Sequence, residues 1–183
     1  MNTPTLASSL ATLALLPPSA ARLDLAARVA DAGRRHLASI PSWVTSYLEH
    51  CLSAARIACL PKEELVEPLL TLHLLTGKSE YEREAISIIT ACYRQIATFV
   101  TQTTDIIRTS DLVTLTSDLY TVVTACDYIE DYDPSLVLSA YHRLTSLLHS
   151  SLLTLDSSAP AIGSCASKKL MEIEQELALA EAV

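Results

Sequence analysis

The residues of this chain that can do chemistry are spread out, and none of the familiar constellations closes. Thr76-Gly77-Lys78-Ser79 carries the Gly-Lys-Ser ending of a phosphate loop, in which backbone amides cradle phosphate and the lysine reaches it. Such a loop needs a glycine five residues before Gly77, and Leu72 stands there within an apolar run. The segment reads instead as a helix stop at Gly77 followed by a capping box, Ser79-x-x-Glu82. His36, His50, His73, His142 and His149 include no H-x-x-x-H pair and no HExxH. His50 with Cys51 and Cys59, or His142 with His149, would supply only part of a zinc shell, because tetrahedral zinc takes four ligands. No metal and no cofactor are therefore expected, and an enzyme remains an alternative only through scattered residues such as His73, Cys92 and Asp127.

The acidic residues have structural roles first. Asp127, Glu130, Asp131 and Asp133 crowd the stretch DYIEDYDP, which lacks the central glycine and terminal glutamate of a calcium loop. Asp133-Pro134 is an N-cap followed by proline at N1, so the stretch is a solvated turn between helices with room for a basic partner. Glu63, Glu64 and Glu67, then Glu80, Glu82 and Glu84, suit the positive ends of two helices. Up to residue 60 there are five arginines against three acids, net +2; beyond it, eight bases against eighteen acids, net −10. An acidic remainder of that size repels a phosphate backbone. Arg28, Arg34 and Arg35 form the one candidate RNA or phosphate contact, without interleaved aromatics to stack bases.

The elements that would position these residues are helical. Half of the 183 residues are apolar, with only three glycines, and the apolar residues are mainly Leu, Ala and Ile. Leu6, Leu10, Leu13 and Ala14 fall at helical spacing before Pro17-Pro18 stops the first helix. Ser19 can cap a second, with Leu23, Ala26, Ala27, Ala30 and Leu37 as its stripe. A third runs from about Pro41 to Ile57 and contains Trp43. A fourth opens at Pro61 and ends at Gly77, and a fifth starts at Ser79, with Thr98 to Thr104 fraying or bending its end. A sixth spans Ser110 to Cys126, and a seventh opens at Pro134. The Ser, Ala, Pro and Gly of 157–165 read as a linker between a helical-repeat domain, 1–156, and a C-terminal helix, 166–183, carrying Leu170, Ile173 and Leu177.

The five cysteines are odd in number, lack a CxxC pair and sit in apolar patterns, which fits a reducing compartment. Before Asp24 there is no acid and one arginine among many Ser, Thr, Ala and Leu, in the manner of an organelle transit peptide. The apolar run from Leu10 to Pro18 is too short to span a bilayer.

One phrase recurs. SLATLALL at 9–16 is echoed by PLLTLHLL at 68–75 and DLYTVVTA at 118–125, the last two offset by 50 residues (68 to 118). The helices that follow also match: IITACYRQIATFV at 88–100 overlies LVLSAYHRLTSLL at 136–148, offset by 48 (88 to 136), with Tyr93 over Tyr141 and Ile96 over Leu144. Two helices matching in one order imply a repeated helical hairpin that cannot bury its apolar face alone.

The pattern L-x-x-x-L-x-T-L/V, followed by a second helix ending Y-x-x-L/I, resembles the hairpins of organellar helical-repeat proteins, the heptatricopeptide and armadillo-like group. It covers most of Leu65 to Leu148 and, more loosely, Leu6 to Leu37. The resemblance implies a scaffold in mitochondrial or plastid RNA processing, RNA editing or ribosome-related assemblies, kinetoplastid mitochondrial complexes among them. It implies the mitochondrial matrix, with the cytoplasm as the alternative. This chain has no basic stripe per repeat, so its expected partners are other protein subunits, with RNA contacted indirectly.

The sequence thus predicts an all-α protein of seven to eight helices, with hairpins stacked as a short α-solenoid. Its expected role is that of a non-catalytic adaptor without a membrane span, able to self-associate. A mean hydropathy of +0.30 implies more apolar surface than a small core hides. The residues expected to meet partners are Leu6, Leu10, Leu13, Trp43, Tyr128, Tyr132, Leu170, Ile173 and Leu177. The rival reading is an RNA-contacting module built on the arginine helix.

Overall fold

A computed structural model describes residues 3–36, 40–102, 109–154 and 160–181, with side chains described over 6–36, 40–102, 110–149 and 168–178. These residues form eight α-helices and no strands. The chain divides into two compact units, Met1–Ser87 and Ile88–Val183. The sequence places its boundary after residue 156; by contacts the division falls inside the fifth helix.

The first unit holds α1 (Thr3–Leu15), α2 (Leu23–His36), α3 (Ser42–Ile57) and α4 (Val66–Thr76), with the opening turns of α5 (Ser79–Thr101). Helix α2 packs against α1, α3 and α4, and α3 also packs against α4. Beyond the buried Leu23, its buried face, Ala26, Ala27, Val29, Ala30 and Gly33, is made of small side chains, which lets neighbouring helices approach closely. The expected stripe residue Leu37 lies outside the described residues.

The starts and stops follow local chemistry, with departures. Pro17-Pro18 ends α1 as expected, but the chain then makes a 3-10 turn, Ala20–Arg22, and Ser19 gives no side-chain cap. Pro61 likewise opens a 3-10 turn, Lys62–Leu65, before α4. Gly77 closes α4 at φ 70°, its amide donating to the His73 carbonyl. Helix α5 starts at Ser79 as expected; in the turn before it the Thr76 hydroxyl accepts from the Lys78 amide at 3.2 Å, and Glu82 faces His73.

The second unit holds the rest of α5, α6 (Thr109–Thr124), α7 (Pro134–Thr154) and α8 (Pro160–Glu181). Helix α6 packs against both α7 and α8, and α7 against α8. Its consecutive residues Thr116, Ser117, Asp118 and Leu119 are all buried. At 100° per residue they occupy most of the circumference, the signature of a central helix. Asp133 caps α7 as expected: its Oδ1 accepts from the Ser135 amide at 2.9 Å and the Ser135 hydroxyl at 2.6 Å. Those bonds hold its carboxyl below the ordinary range.

Helix α8 starts at Pro160, so 160–165 of the expected linker is helical, while 155–159 lie outside the described residues. The physical reason is that proline suits the first helical position, and the Ala and Ser after it do not oppose a helix.

The repeated phrase has a matching burial register. Leu69 and Leu119, Thr71 and Thr121, and Leu72 and Val122 are buried in both copies, as are Ile89 and Val137, Cys92 and Ala140, and Ile96 and Leu144 in the second helices. Tyr93 and Tyr141 are both half-buried. In the first copy Leu6 and Leu13 are buried, at the positions of Leu65 and Leu72, but Leu10 is only half-buried and Thr12 is exposed.

Candidate interaction surfaces

In the first unit, the corner at Pro17 is held by two donors. The Arg22 guanidinium and the Tyr47 hydroxyl both point at the Pro17 carbonyl, the latter at 3.4 Å. Trp43 meets Tyr47 edge-on, with ring centroids 6.4 Å apart and planes at 88°. Burial, with Cys51 adding to it, pushes the Tyr47 phenol up, and burial does the same to the Cys51 thiol. This corner leaves Leu15, Pro17, Pro18 and Trp43 exposed.

The arginine helix is largely neutralised. Arg28 pairs with Asp24 at 2.7 Å, and Asp31 takes both Arg34 at 3.1 Å and Arg35 at 2.5 Å. Glu67 on α4 joins the same field: desolvation first, then Asp24 and Asp31, raise its pKa, opposed by Arg28 and Arg35. Three guanidiniums are thus paired with two carboxylates, which lowers the charge available to release counterions from a phosphate backbone.

Glu49 of α3 is the hub of an ionic clamp onto the start of α5. Its Oε1 accepts from Lys78 Nζ at 3.0 Å and from the Tyr81 hydroxyl at 2.8 Å. The lysine bond, then the tyrosine bond, hold the Glu49 carboxyl below its usual range. Arg56 pairs with Glu84 on the same two helices. All of these groups keep contact with water, so the clamp orients the helices more than it stabilises them.

In the second unit the acidic turn is fastened by a tyrosine. The Tyr93 hydroxyl of α5 donates to the Asp131 carbonyl at 3.2 Å and accepts from the Asp133 amide at 3.0 Å. Tyr132 leans on Tyr93, with ring centroids 6.3 Å apart. Tyr128 and Tyr132 are half-buried, while Asp127, Glu130, Asp131 and Asp133 are exposed. Arg143 of α7 reaches the far end of α5, donating to the carbonyls of Phe99 at 2.6 Å and Val100 at 3.3 Å. Its guanidinium lies 4.7 Å from the Phe99 ring centroid. A cation on the last carbonyls satisfies acceptors that the helix leaves open and suits its negative end.

Under α8 lies a buried polar seam. Asp118 is only 3% exposed beside Thr116, Ser117 and Thr121, and Lys169 Nζ donates to the Ser117 hydroxyl at 2.7 Å. A carboxylate in such a place must be engaged, and Asp118 is. No motif in the sequence marks Asp118, although the repeat held the signal: it occupies the register of Pro68, which is also buried.

Several residues expected to meet partners are occupied within the chain. Leu6 and Leu13 are buried in the first unit, and Leu170 and Ile173 in the second, where α8 packs back onto α6. Their stripes satisfy the core, so they offer no free apolar surface. Leu10 and Leu177 are half-buried, and Trp43 is exposed. Among the described residues the exposed large apolar side chains are Trp43 and, outside the expected set, Leu15, Ile57, Leu74, Leu138 and Met171. Trp43, Leu138 and Met171 each sit next to a buried residue, Val44, Val137 and Leu170, so position along the helix did not distinguish them.

Among the described residues no group of three or more His, Cys, Asp or Glu could hold a metal ion. No described helix is long and apolar enough to cross a membrane.

Fold and surfaces together define an all-α protein of two helical units. Neither a protein-family model, nor a curated protein, nor a solved structure matches the chain.

Proposed function

We propose that this chain is a non-catalytic adaptor, a short array of helical hairpins that binds other subunits of a larger assembly through exposed apolar side chains. One observation carries the reading. Leu15 and Ile57 are 85% and 84% exposed, on helices whose other large apolar residues are mostly packed. Isolated exposed apolar residues are ordinary, but several on short units with satisfied cores favour an interface. The shared burial register of the two hairpins supports stacking as a solenoid, in which each copy turns the same face to a neighbour. The likeness of the repeat to organellar helical-repeat proteins supplies the setting, a mitochondrial RNA-processing or RNA-editing assembly. The ion-paired arginines favour protein partners over direct RNA contact.

Affinity purification of the tagged chain from its own cells tests this, at moderate and then high salt, with and without nuclease. Partner proteins should remain after nuclease and high salt, because apolar contacts are insensitive to ionic strength whereas phosphate contacts weaken steeply. Loss of every partner on nuclease treatment would overturn the reading.

A further inference from the structure

We propose that the outward face shared by α7 and α8 is the docking surface for a basic amphipathic helix of a partner protein. This rests on the adaptor reading and names the partner class for one of its surfaces.

Helices α7 and α8 pack against each other, and across them the Glu174 charge, after burial, raises the pKa of the Tyr141 phenol. One turn before Tyr141 on α7 stands Leu138, 37% exposed; one turn before Glu174 on α8 stands Met171, 61% exposed. Residues three apart share a helix face, so both apolar groups lie beside the same contact. Neither belongs to the packed stripes, which are filled by Val137, Ala140 and Leu144 on α7 and by Leu170 and Ile173 on α8. A seam between two helices with apolar anchors suits an incoming helix, and the flexible thioether of methionine adapts to one.

The charge around the seam selects the partner. Residues 88–183 contain five Lys and Arg against twelve Asp and Glu, net −7. Two bases near the seam are turned inward, Arg143 onto the α5 carbonyls and Lys169 onto Ser117, while Lys168, one turn before Met171, stays exposed. Lys168 lies 3.8 Å from Glu172. The acids stay outside: Glu174 and Glu176 on α8, and Asp127, Glu130, Asp131 and Asp133 in the turn that leads into α7. With two cations turned inward and Lys168 offset by Glu172, the exposed acids outnumber the exposed bases around the apolar side chains, which complements leucines flanked by Lys or Arg and repels nucleic acid.

The test uses the full-length chain with 13C-methyl methionine, since Met1 and Met171 are its only methionines. A Leu/Lys amphipathic helical peptide is titrated in, beside a Leu/Glu peptide of the same pattern and a Ser/Lys peptide of the same charge. The Met171 methyl signal should shift with the Leu/Lys peptide alone. The double variant Leu138→Ser, Met171→Ser should bind it about tenfold more weakly while keeping a cooperative melt only slightly lowered, because Met171 is exposed and Leu138 partly so. Equal binding of either control peptide, full affinity in the double variant, or a Met171 signal unmoved by bound peptide would overturn the proposal. So would a wild-type dimer that the double variant dissociates, since a second copy would then be the occupant. Purification separates the two readings: a double variant that keeps every partner removes this surface but not the adaptor role. A wild-type chain that retains no protein removes the adaptor role itself.

Discussion

Replacing Tyr93 by phenylalanine should loosen the acidic turn while leaving the helices around it intact. The ring is retained, so packing against Tyr132 survives; what is lost is one oxygen that donates to the Asp131 carbonyl and accepts from the Asp133 amide. A hydrogen bond contributes about 0.5 to 1.5 kcal/mol net. Both partners lie near the surface, where water replaces part of each bond, so the two together should cost about 1 to 2 kcal/mol. Urea unfolding measures the total. Amide exchange gives a sharper reading, because the Asp133 amide has Tyr93 as its acceptor and should exchange about tenfold faster in the variant, each 1.4 kcal/mol being a factor of about ten. Unchanged Asp133 protection with unchanged stability would refute the assignment of Tyr93 as the fastener of this turn.

Two substitutions at left-handed positions should have opposite signs. Cys59 sits at φ 53°, with the Leu60 amide closing back onto the Ala55 carbonyl at 3.1 Å. Cys59→Gly should stabilise the chain by about 0.5 to 1 kcal/mol, and Gly77→Ala, at φ 70° with nothing near the added methyl, should destabilise it by about 1 kcal/mol in thermal unfolding. Arg143→Leu removes the donor on the α5 carbonyls and should cost about 1 to 2 kcal/mol, read by urea unfolding, whereas Arg143→Lys should recover only part. The pH dependence has two opposing contributions. Glu49, held below its ordinary 4.5 by Lys78 and Tyr81, stabilises the fold above that value, and its share is lost as pH falls through the lower folded value. Glu67, raised above 4.5, binds its proton more tightly when folded, so its penalty is absent below 4.5 and grows as pH rises through the folded value. Its side chain remains exposed, so the effect is small: Glu67→Gln should raise the melting temperature slightly at pH 7 and leave it unchanged at pH 4.

What was legible in the sequence is what local chemistry decides. Gly77 as a helix stop, Asp133-Pro134 as a helix start and the break at Pro17-Pro18 each depend on one or two residues whose backbone or side chain admits few alternatives. The start of α8 was not legible, because Ser, Ala, Pro and Gly suit a linker as well as a first helical turn. Nor was the left-handed Cys59, where nothing in the residue type announces the conformation. Tyr93 and Arg143 escaped for a different reason. Their partners lie 40 and 44 residues away, and no spacing rule within a helix reaches that far. The arginine helix is the instructive intermediate. Asp24 with Arg28 and Asp31 with Arg35 stand four apart in the sequence, and that spacing alone predicts pairs that lower the patch's charge.

The same residues tie the repeat to the surfaces. The matched helices share buried positions, Leu69 with Leu119 and Ile96 with Leu144, on one face only. The opposite face is free to differ between copies. In the second helix of the later copy that freedom places Leu138 outside, where the earlier copy, at an offset of 48, has the half-buried Thr90. Repetition fixes the core and leaves the outer face open to specialisation. A binding function in such a chain is therefore to be sought where the copies disagree.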